Sequence, residues 1–456
     1  MNFVLIVTDS FRRDHLGCYG NRWIHTPHLD RFAAQSLRFR NYYPANLPTV
    51  PNRLDLMTGR FTYTYAAWEP MPADEVPLAE ILGREGYTSM HIADTPHALT
   101  GRMDYYRGFT AWDLIRGQEC DRWWTDDAET KLPCDPSKLR GGVRGLRQHL
   151  RNASMWKSED DTFVAQTMRR ASTWLEKNCQ QKKWFLSVDT FDPHEPWLAP
   201  RPYVDLYDPG YTGERVLYPR YRRADYLTAR ELQHMRAAYA AEVTLVDRWI
   251  GHLLAKIESL RLMNDTAIFI TADHGFYLGD HGLTGKLFQE AGEKRTMHMY
   301  EPLVATPLLA WAPGCAAGKA PAALCSTPDL TATILDLCGV APHPRVQGKS
   351  LRPILKGQSA RCRPFTVSTF GFPSGTPTSS PGVGTAVLND GRYTYLYGGT
   401  DDKPELYDVR NDPDQKKNLL PREKARARAM HTRFIRWLEE LECPAKYLEP
   451  RRSPGF

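Results

Sequence analysis

Four short apolar runs, each broken off by polar residues, constrain this chain more than anything else in it. Residues 3–7 give way to Asp9 and Ser10, and residues 90–93 to Asp94-Thr95-Pro96-His97. Residues 184–188 lead into a polar segment from Asp189 to Pro196, and residues 267–270 into Thr271-Ala272-Asp273-His274-Gly275. A short unbroken apolar run is what a strand buried on both faces requires. Helix-like stretches lie between the runs, at residues 78–85, 162–177 and 230–259. Strand, helix and strand in alternation predict an α/β fold, with a large, mostly parallel central sheet flanked by helices. Ligands bind such sheets beyond the carboxyl ends of the strands, which is where the four polar clusters fall.

Residues 47–60 read as a loop that turns into a short helix. Thr49 is the expected N-cap and Pro51 suits the first turn. Arg53, four residues after Thr49, returns to the same side of that turn. A hydroxyl, a guanidinium and helix-start N–H groups would then converge on one anion-sized space. Taken alone, the same pattern describes a capped helix with an ordinary surface arginine.

Residues 112–158 are rich in charge and tryptophan and contain Gly141-Gly142, so they read as an insertion and a possible lid near the site mouth. A surface subdomain without substrate contact fits them equally well. From residue 359 the pattern shortens to strands at 365–370, 385–388 and 393–397, followed by an amphipathic helix at 422–441. The expected organisation is therefore a catalytic α/β domain over residues 1–358. A small C-terminal α+β subdomain over 359–456 would hold an antiparallel sheet with a helix.

With 42% hydrophobic and 25% charged residues the chain belongs among ordinary globular proteins, and its net charge of +6 is mild. The basic run Arg422, Lys424, Arg426 and Arg428 reads as a solvated helix face, so no nucleic-acid partner is expected. No apolar run is long enough to span a bilayer, and the opening residues lack the regions of a signal peptide. Nine cysteines without a C-x-x-C pair argue against a disulfide framework and against a structural zinc site. A soluble, cytoplasmic protein is expected, without a membrane partner; a homo-oligomer is left open.

In order along the chain, these pieces carry a resemblance. Asp9 is followed by Asp14-His15-Leu16-Gly17-Cys18-Tyr19-Gly20 and Thr26-Pro27-His28-Leu29-Asp30. Thr49-Val50-Pro51-Asn52-Arg53 precedes Thr58-Gly59-Arg60, and Asp192-Pro193-His194-Glu195-Pro196 precedes Asp273-His274-Gly275, Gly279-Asp280-His281-Gly282 and Lys286. Glu405-Leu406-Tyr407-Asp408, Asn411-Asp412-Pro413 and Asn418-Leu419 close the series. The whole resembles the sulfatase family of the alkaline phosphatase superfamily, in which C/S-x-P-x-R holds the place of Thr49 to Arg53.

Asp9, Asp273 and His274, at neighbouring strand ends, are the candidate metal ligands. Their mixed oxygen and nitrogen set suits a divalent Zn or Mn ion, with Ca less typical. Typical sulfatases carry a second Asp where this chain has Ser10. The phosphonate monoester and phosphodiester hydrolase branch lacks it, and Asp9, Thr49, Asp273 and His274 resemble that branch's ligand set. Sulfatases oxidise a Cys or Ser at the position of Thr49 to formylglycine. Threonine would yield a ketone by that oxidation, so no formylglycine is expected and an unmodified Thr49 is the candidate nucleophile.

The resemblance further implies that Arg53 and Lys286 stabilise the transferred group, that His194 acts as general acid, and that His97 and His281 contact substrate. A near-neutral titration of His194 would suit proton transfer. Asp192, His194 and His281 only partly suggest the second metal site found in related two-zinc enzymes. Three readings follow. The first is a metal-dependent hydrolase of small anionic esters such as phosphodiesters or phosphonate monoesters. The second is a sulfuric ester hydrolase working without formylglycine, and the third is an inactive binding protein that keeps the fold.

Overall fold

A computed structural model of the chain describes residues 1–125, 130–290, 293–373, 383–400 and 402–456, the side chain of Glu293 excepted. Residues 126–129 of the expected insertion and the Pro- and Ser-rich turn residues 374–382 lie outside them. The central sheet has seven strands in the order Leu37–Arg38, Leu308–Trp311, Thr266–Ala272, Asn2–Thr8, Trp184–Thr190, Thr88–Ala93 and Ala111–Leu114. From Thr266–Ala272 to Ala111–Leu114 every pairing is parallel, whereas Leu308–Trp311 joins antiparallel. The sheet is therefore mixed, with the expected parallel arrangement at its centre.

Alternation along Asn2–Thr8 divides the core. Val4 and Ile6 pack among residues of the helices Phe163–Asn178 and Ala229–Ser259. Phe3, Leu5 and Val7 face the opposite layer, with Leu78 and Leu82 from Leu78–Arg84 and Leu330 and Ile334 from Pro328–Cys338. All residues of Asn2–Thr8, Trp184–Thr190 and Thr266–Ala272 are buried, as covering both faces demands. Each such Val, Leu, Ile or Phe contributes roughly 1.5–3 kcal/mol by leaving water. The 31-residue helix Ala229–Ser259 starts at a capping box in which Thr228 and Glu231 satisfy each other's backbone N–H groups.

The smaller sheet departs from expectation. Glu405–Asp408, Tyr393–Tyr397, Ala386–Asn389 and Thr366–Phe370 are antiparallel, but a fifth strand, Asn46–Leu47, lies parallel to Thr366–Phe370. Thr369 pairs with Asn46 and Phe370 with Leu47. The sheet is neither wholly antiparallel nor wholly C-terminal, so it crosses the expected boundary between residues 358 and 359. The helix Lys424–Glu440, slightly shorter than expected, lays Ala427, Met430, Phe434 and Leu438 into the core beneath this sheet.

The expected insertion begins later than residue 112, because Ala111–Leu114 is an edge strand of the main sheet. It contains the helix Val143–Ala153, anchored by Leu146 in a cluster with Leu139, Val216 and Tyr218. No described helix is long and apolar enough to cross a membrane.

Candidate active site

Sheet register assembles the centre of the site. Thr8 lies opposite Thr190 on one side and Ala272 on the other, so the next residues, Asp9 and Asp273, emerge side by side. The backbone N–H of Asp9 donates to the Thr190 carbonyl (3.1 Å), and that of Asp273 to the Thr8 carbonyl (3.2 Å). Ser10 stands in the left-handed region at φ 58° and braces both carboxylates. Its hydroxyl donates to Asp9 Oδ1 (2.8 Å) and its N–H to Asp273 Oδ1 (2.9 Å). Ser10 thereby holds both acids in place.

Donor atoms of Asp9, Asp273 and His274 lie within 4.8 Å of one another, and all three residues are fully buried. Burial alone would raise the Asp9 carboxyl, but Lys286, His194 and Arg53 hold it well below the usual carboxylate range. Burial and the charge of Asp9 push the Asp273 carboxyl well up, against Arg53. Two carboxylates this close need further positive charge before both ionise. Burial and then Lys286 pull His274 down to about 3, which keeps its ring neutral. Its Nδ1 faces the Gly275 carbonyl at 2.8 Å and so carries the proton, leaving the Nε2 lone pair toward the acids. Two close acids and an oriented neutral imidazole fit a divalent cation.

The loop that carries Thr49 is placed differently from expectation. Thr49 opens the helix Thr49–Thr58, and Pro48 occupies the N-cap position without a side-chain cap. The Thr49 hydroxyl is buried and has no hydrogen-bond partner. Helix capping would have satisfied that oxygen, so the expected cap is corrected to an orphaned hydroxyl. Asp55, farther along this helix, accepts from the Asn46 N–H (2.7 Å), the Thr62 N–H (2.9 Å) and the Thr62 hydroxyl (2.7 Å). The body of the helix is thereby tied to Asn46 of the smaller sheet.

Arg53 does not point into an open anion space. Its Nε and Nη2 donate to the two oxygens of Asp189 (3.0 and 2.7 Å), while Nη1 contacts Asp9 (3.2 Å), Asp273 and the Thr49 carbonyl (3.3 Å). These carboxylates raise the guanidinium pKa well above its usual value against the effect of burial. Arg53 thus neutralises the acids and braces the turn that carries Thr49.

A cavity of about 450 Å³ opens over Thr49, and His97, His194 and Lys286 line it. Lys286 Nζ stands 3.4 Å from His274 Nε2 and 3.9 Å from Asp9 Oδ1. His194 stacks on Phe191 at 4.0 Å, and its Nδ1 faces the Glu195 carbonyl. Burial and Lys286 hold His194 well below its ordinary value, contrary to the expected near-neutral titration. Its ring is therefore neutral at rest.

His97 reaches the cavity but is engaged by Glu119 at 2.5 Å. His281 does not join the others. It is exposed, stacks on Tyr300 with ring centroids 3.6 Å apart, and borders a different cavity with Arg12 and Asp280. Asp192 is held by Gln118 (2.6 Å) and the Val164 N–H (3.2 Å), so Asp192, His194 and His281 do not assemble as a second metal site.

Several residues at the site escaped sequence reasoning. Asp189 ends a recognised strand, and that position was its available signal. Glu119 and Arg140 come from the insertion and carry no local signal. Arg140 is held between the rings of Tyr218 and Tyr221 (4.3 and 4.4 Å) and pairs with Glu119 and Glu195. His97, Glu119 and Cys120 also bring donor atoms within 4.8 Å of one another, but the Arg140 guanidinium on Glu119 opposes a cation there. The insertion does border the site through Arg140 and Arg144, whereas exposed Trp123 faces another cavity.

The sulfatase family model matches residues 1–340, and the model for the C-terminal region of N-sulphoglucosamine sulphohydrolase matches residues 290–442. Choline-sulfatase of Rhizobium meliloti is 25% identical over 92% of this chain and 82% of its own length. The multifunctional alkaline phosphatase superfamily protein PehA of Trinickia caryophylli is 25% identical over 92% of this chain and 91% of its own. Among solved structures, the phosphonate monoester hydrolase of Agrobacterium radiobacter superposes with a TM-score of 0.75 at 21% identity, covering 98% of this chain and 96% of that one. At this identity the likeness establishes the fold.

Proposed function

Because the chain belongs to the sulfatase family, we propose that it is a metal-dependent hydrolase of small anionic esters, phosphonate monoesters or phosphodiesters foremost, with unmodified Thr49 as nucleophile. The observation that carries this reading is the buried Thr49 hydroxyl without a hydrogen-bond partner, at the floor of the cavity beside His194 and Lys286. Burying a hydroxyl unpaired costs stability, and a role in the chemistry is one reason for a chain to keep such a group.

Asp9, Asp273 and His274 would hold the divalent cation, with Thr49 beside them. When bound, it would lower the pKa of the nucleophile and polarise the ester as a Lewis acid. The Thr49 oxygen then forms the bond to phosphorus as the bond to the leaving alcohol breaks, and water later cleaves the phosphothreonine ester. His194 lines the same cavity and starts neutral with its Nδ1–H donating to the Glu195 carbonyl, so its Nε2 is the nitrogen left that would carry the hydroxyl proton to the leaving oxygen once substrate brings the groups together. Lys286 supplies fixed positive charge to the transferred group. Arg53 acts through the acids it binds, as a positioning residue.

A second reading, sulfate-ester hydrolysis by the same groups, draws support from the match to the sulphohydrolase C-terminal model. The test is turnover of aryl methylphosphonates, phosphodiesters and sulfates with Mn or Zn, combined with mass spectrometry of the Thr49 peptide after acid quench. Turnover abolished by chelation, restored by metal and accompanied by a phosphoryl adduct on Thr49 is expected. Full activity in Thr49→Ala overturns the mechanism, and metal-replete protein inert to every ester favours a binding protein.

A further inference from the structure

The walls of the catalytic cavity carry more positive charge than the reacting groups use. Of its cations, Lys286 sits by Asp9, and Arg140 is neutralised by Glu119 and Glu195. Arg144 and Lys294 also line the cavity, and neither has an ion-pair partner among the described residues. They come from separate elements. Arg144 is exposed on the helix Val143–Ala153, and half-buried Lys294 lies on the strand Glu293–Arg295, opposite Gln289.

Neither position favours a cation for the sake of the fold. Arg144 falls in the first turn of its helix, where the macrodipole disfavours positive charge and where no acidic residue compensates. Burial, and after it like-charged Arg140 nearby, lowers the pKa of Lys294. The nearby acid Glu290 is taken up by Arg220 and Arg222. Half-buried Trp68 lines the same cavity and offers it a ring surface, whereas Tyr218 and Tyr221 line it buried against Arg140. A spacer that packs on rings, ending in a negative charge, would complement this wall.

We infer that the natural substrate is an ester whose alcohol portion carries a second anionic group, bound by Arg144 and Lys294 at the cavity rim. The inference rests on the hydrolase reading above and adds the substrate class to it. The second group is a carboxylate, sulfate or phosphate, held away from the scissile bond by a planar or ring-shaped spacer.

The test uses two leaving groups of matched size and acidity, 4-(carboxymethyl)phenol and its neutral amide 4-(carbamoylmethyl)phenol, each presented as the methylphosphonate and as the sulfate. In the metal-loaded enzyme, kcat/KM for the carboxylate is expected to exceed that for the amide by about tenfold, mainly through KM, as two solvent-facing ion pairs provide. Added salt should shrink the ratio. In Arg144→Gln/Lys294→Gln the ratio falls to about one, and in Arg144→Glu/Lys294→Glu it drops below one. Melting curves of both variants establish that they are folded. Equal turnover of the two esters by the native enzyme overturns the inference and leaves the hydrolase reading standing. A preference that survives both double variants overturns the assignment to these residues. Hydrolysis of neither ester overturns the hydrolase reading, and the inference with it.

Discussion

Replacing Thr49 by valine should make the metal-free protein more stable and catalytically dead. Valine keeps the shape and the β-branch of threonine and exchanges only the hydroxyl for a methyl. The hydroxyl is buried without a protein partner, so the folded state bears whatever part of its desolvation cost the cavity does not relieve. That cost is about 1–3 kcal/mol for an unsatisfied buried polar group. With an unfolding entropy of roughly 2 cal/mol/K per residue, a chain of 456 residues would show this as a rise in Tm on the order of 1–3 °C. The assay is differential scanning calorimetry of native protein, Thr49→Val and Thr49→Ser after chelation, repeated with Mn or Zn restored. On the proposed reading a bound cation would give the native hydroxyl a partner, so the advantage of valine should shrink or reverse in the loaded protein. Turnover by Thr49→Val should fall at least about a thousandfold, as when a nucleophile is removed. A metal-free Thr49→Val that melts below the native protein would mean the hydroxyl is structurally engaged. Retained turnover would remove Thr49 from the chemistry.

Two further perturbations test the surroundings. Arg53→Lys cannot reproduce the two-pronged contact with Asp189 while also bridging Asp9 and Asp273, so it should destabilise the fold by about 3–5 kcal/mol, read in a thermal melt; native-like stability would refute the bracing role. Burial pulls His91 down to about 4, and its Nε2 has no partner. An unfolded chain therefore takes up a proton at this residue below pH 6.5, whereas the folded chain does so only near pH 4. Stability fully present above pH 6.5 is lost as the pH falls to about 4, by about 3 kcal/mol from this residue. His91→Leu should flatten the acid limb of a Tm-against-pH curve by that amount; parallel curves for mutant and native protein would contradict the assignment.

The sequence made the scaffold of the site legible because strand ends are a one-dimensional signal. Apolar runs ending in Asp9, Asp189 and Asp273 locate the carboxyl edge of a parallel sheet, and neighbouring registers do the rest. Charge pairing was not legible. Arg53 appeared free to meet an anion, yet three carboxylates from three strands surround it. His281 shares a short segment with Asp273 and Lys286, but a local left-handed turn at φ 52° sends it to Tyr300. Thr49 looked like a cap because Thr before an early Pro usually is one, and only the three-dimensional surroundings reveal its unpaired oxygen. The Glu119–Arg140 pair was invisible because its partners, Tyr218 and Glu195, are far away in sequence.

The two-residue strand Asn46–Leu47 has a consequence for the order in which the chain becomes active. Asp9, Thr49, Asp273, His274 and Lys286 are all synthesised before Thr366–Phe370, the strand against which Asn46–Leu47 pairs. A nascent chain that has just passed Lys286 holds every reactive group, but the segment leading into Thr49 still lacks its neighbouring strand. The native surroundings of that segment are thus completed only by residues near the carboxyl end of the chain. A chain interrupted before Thr366 would carry all of these residues and still lack the strand that flanks the segment leading into Thr49.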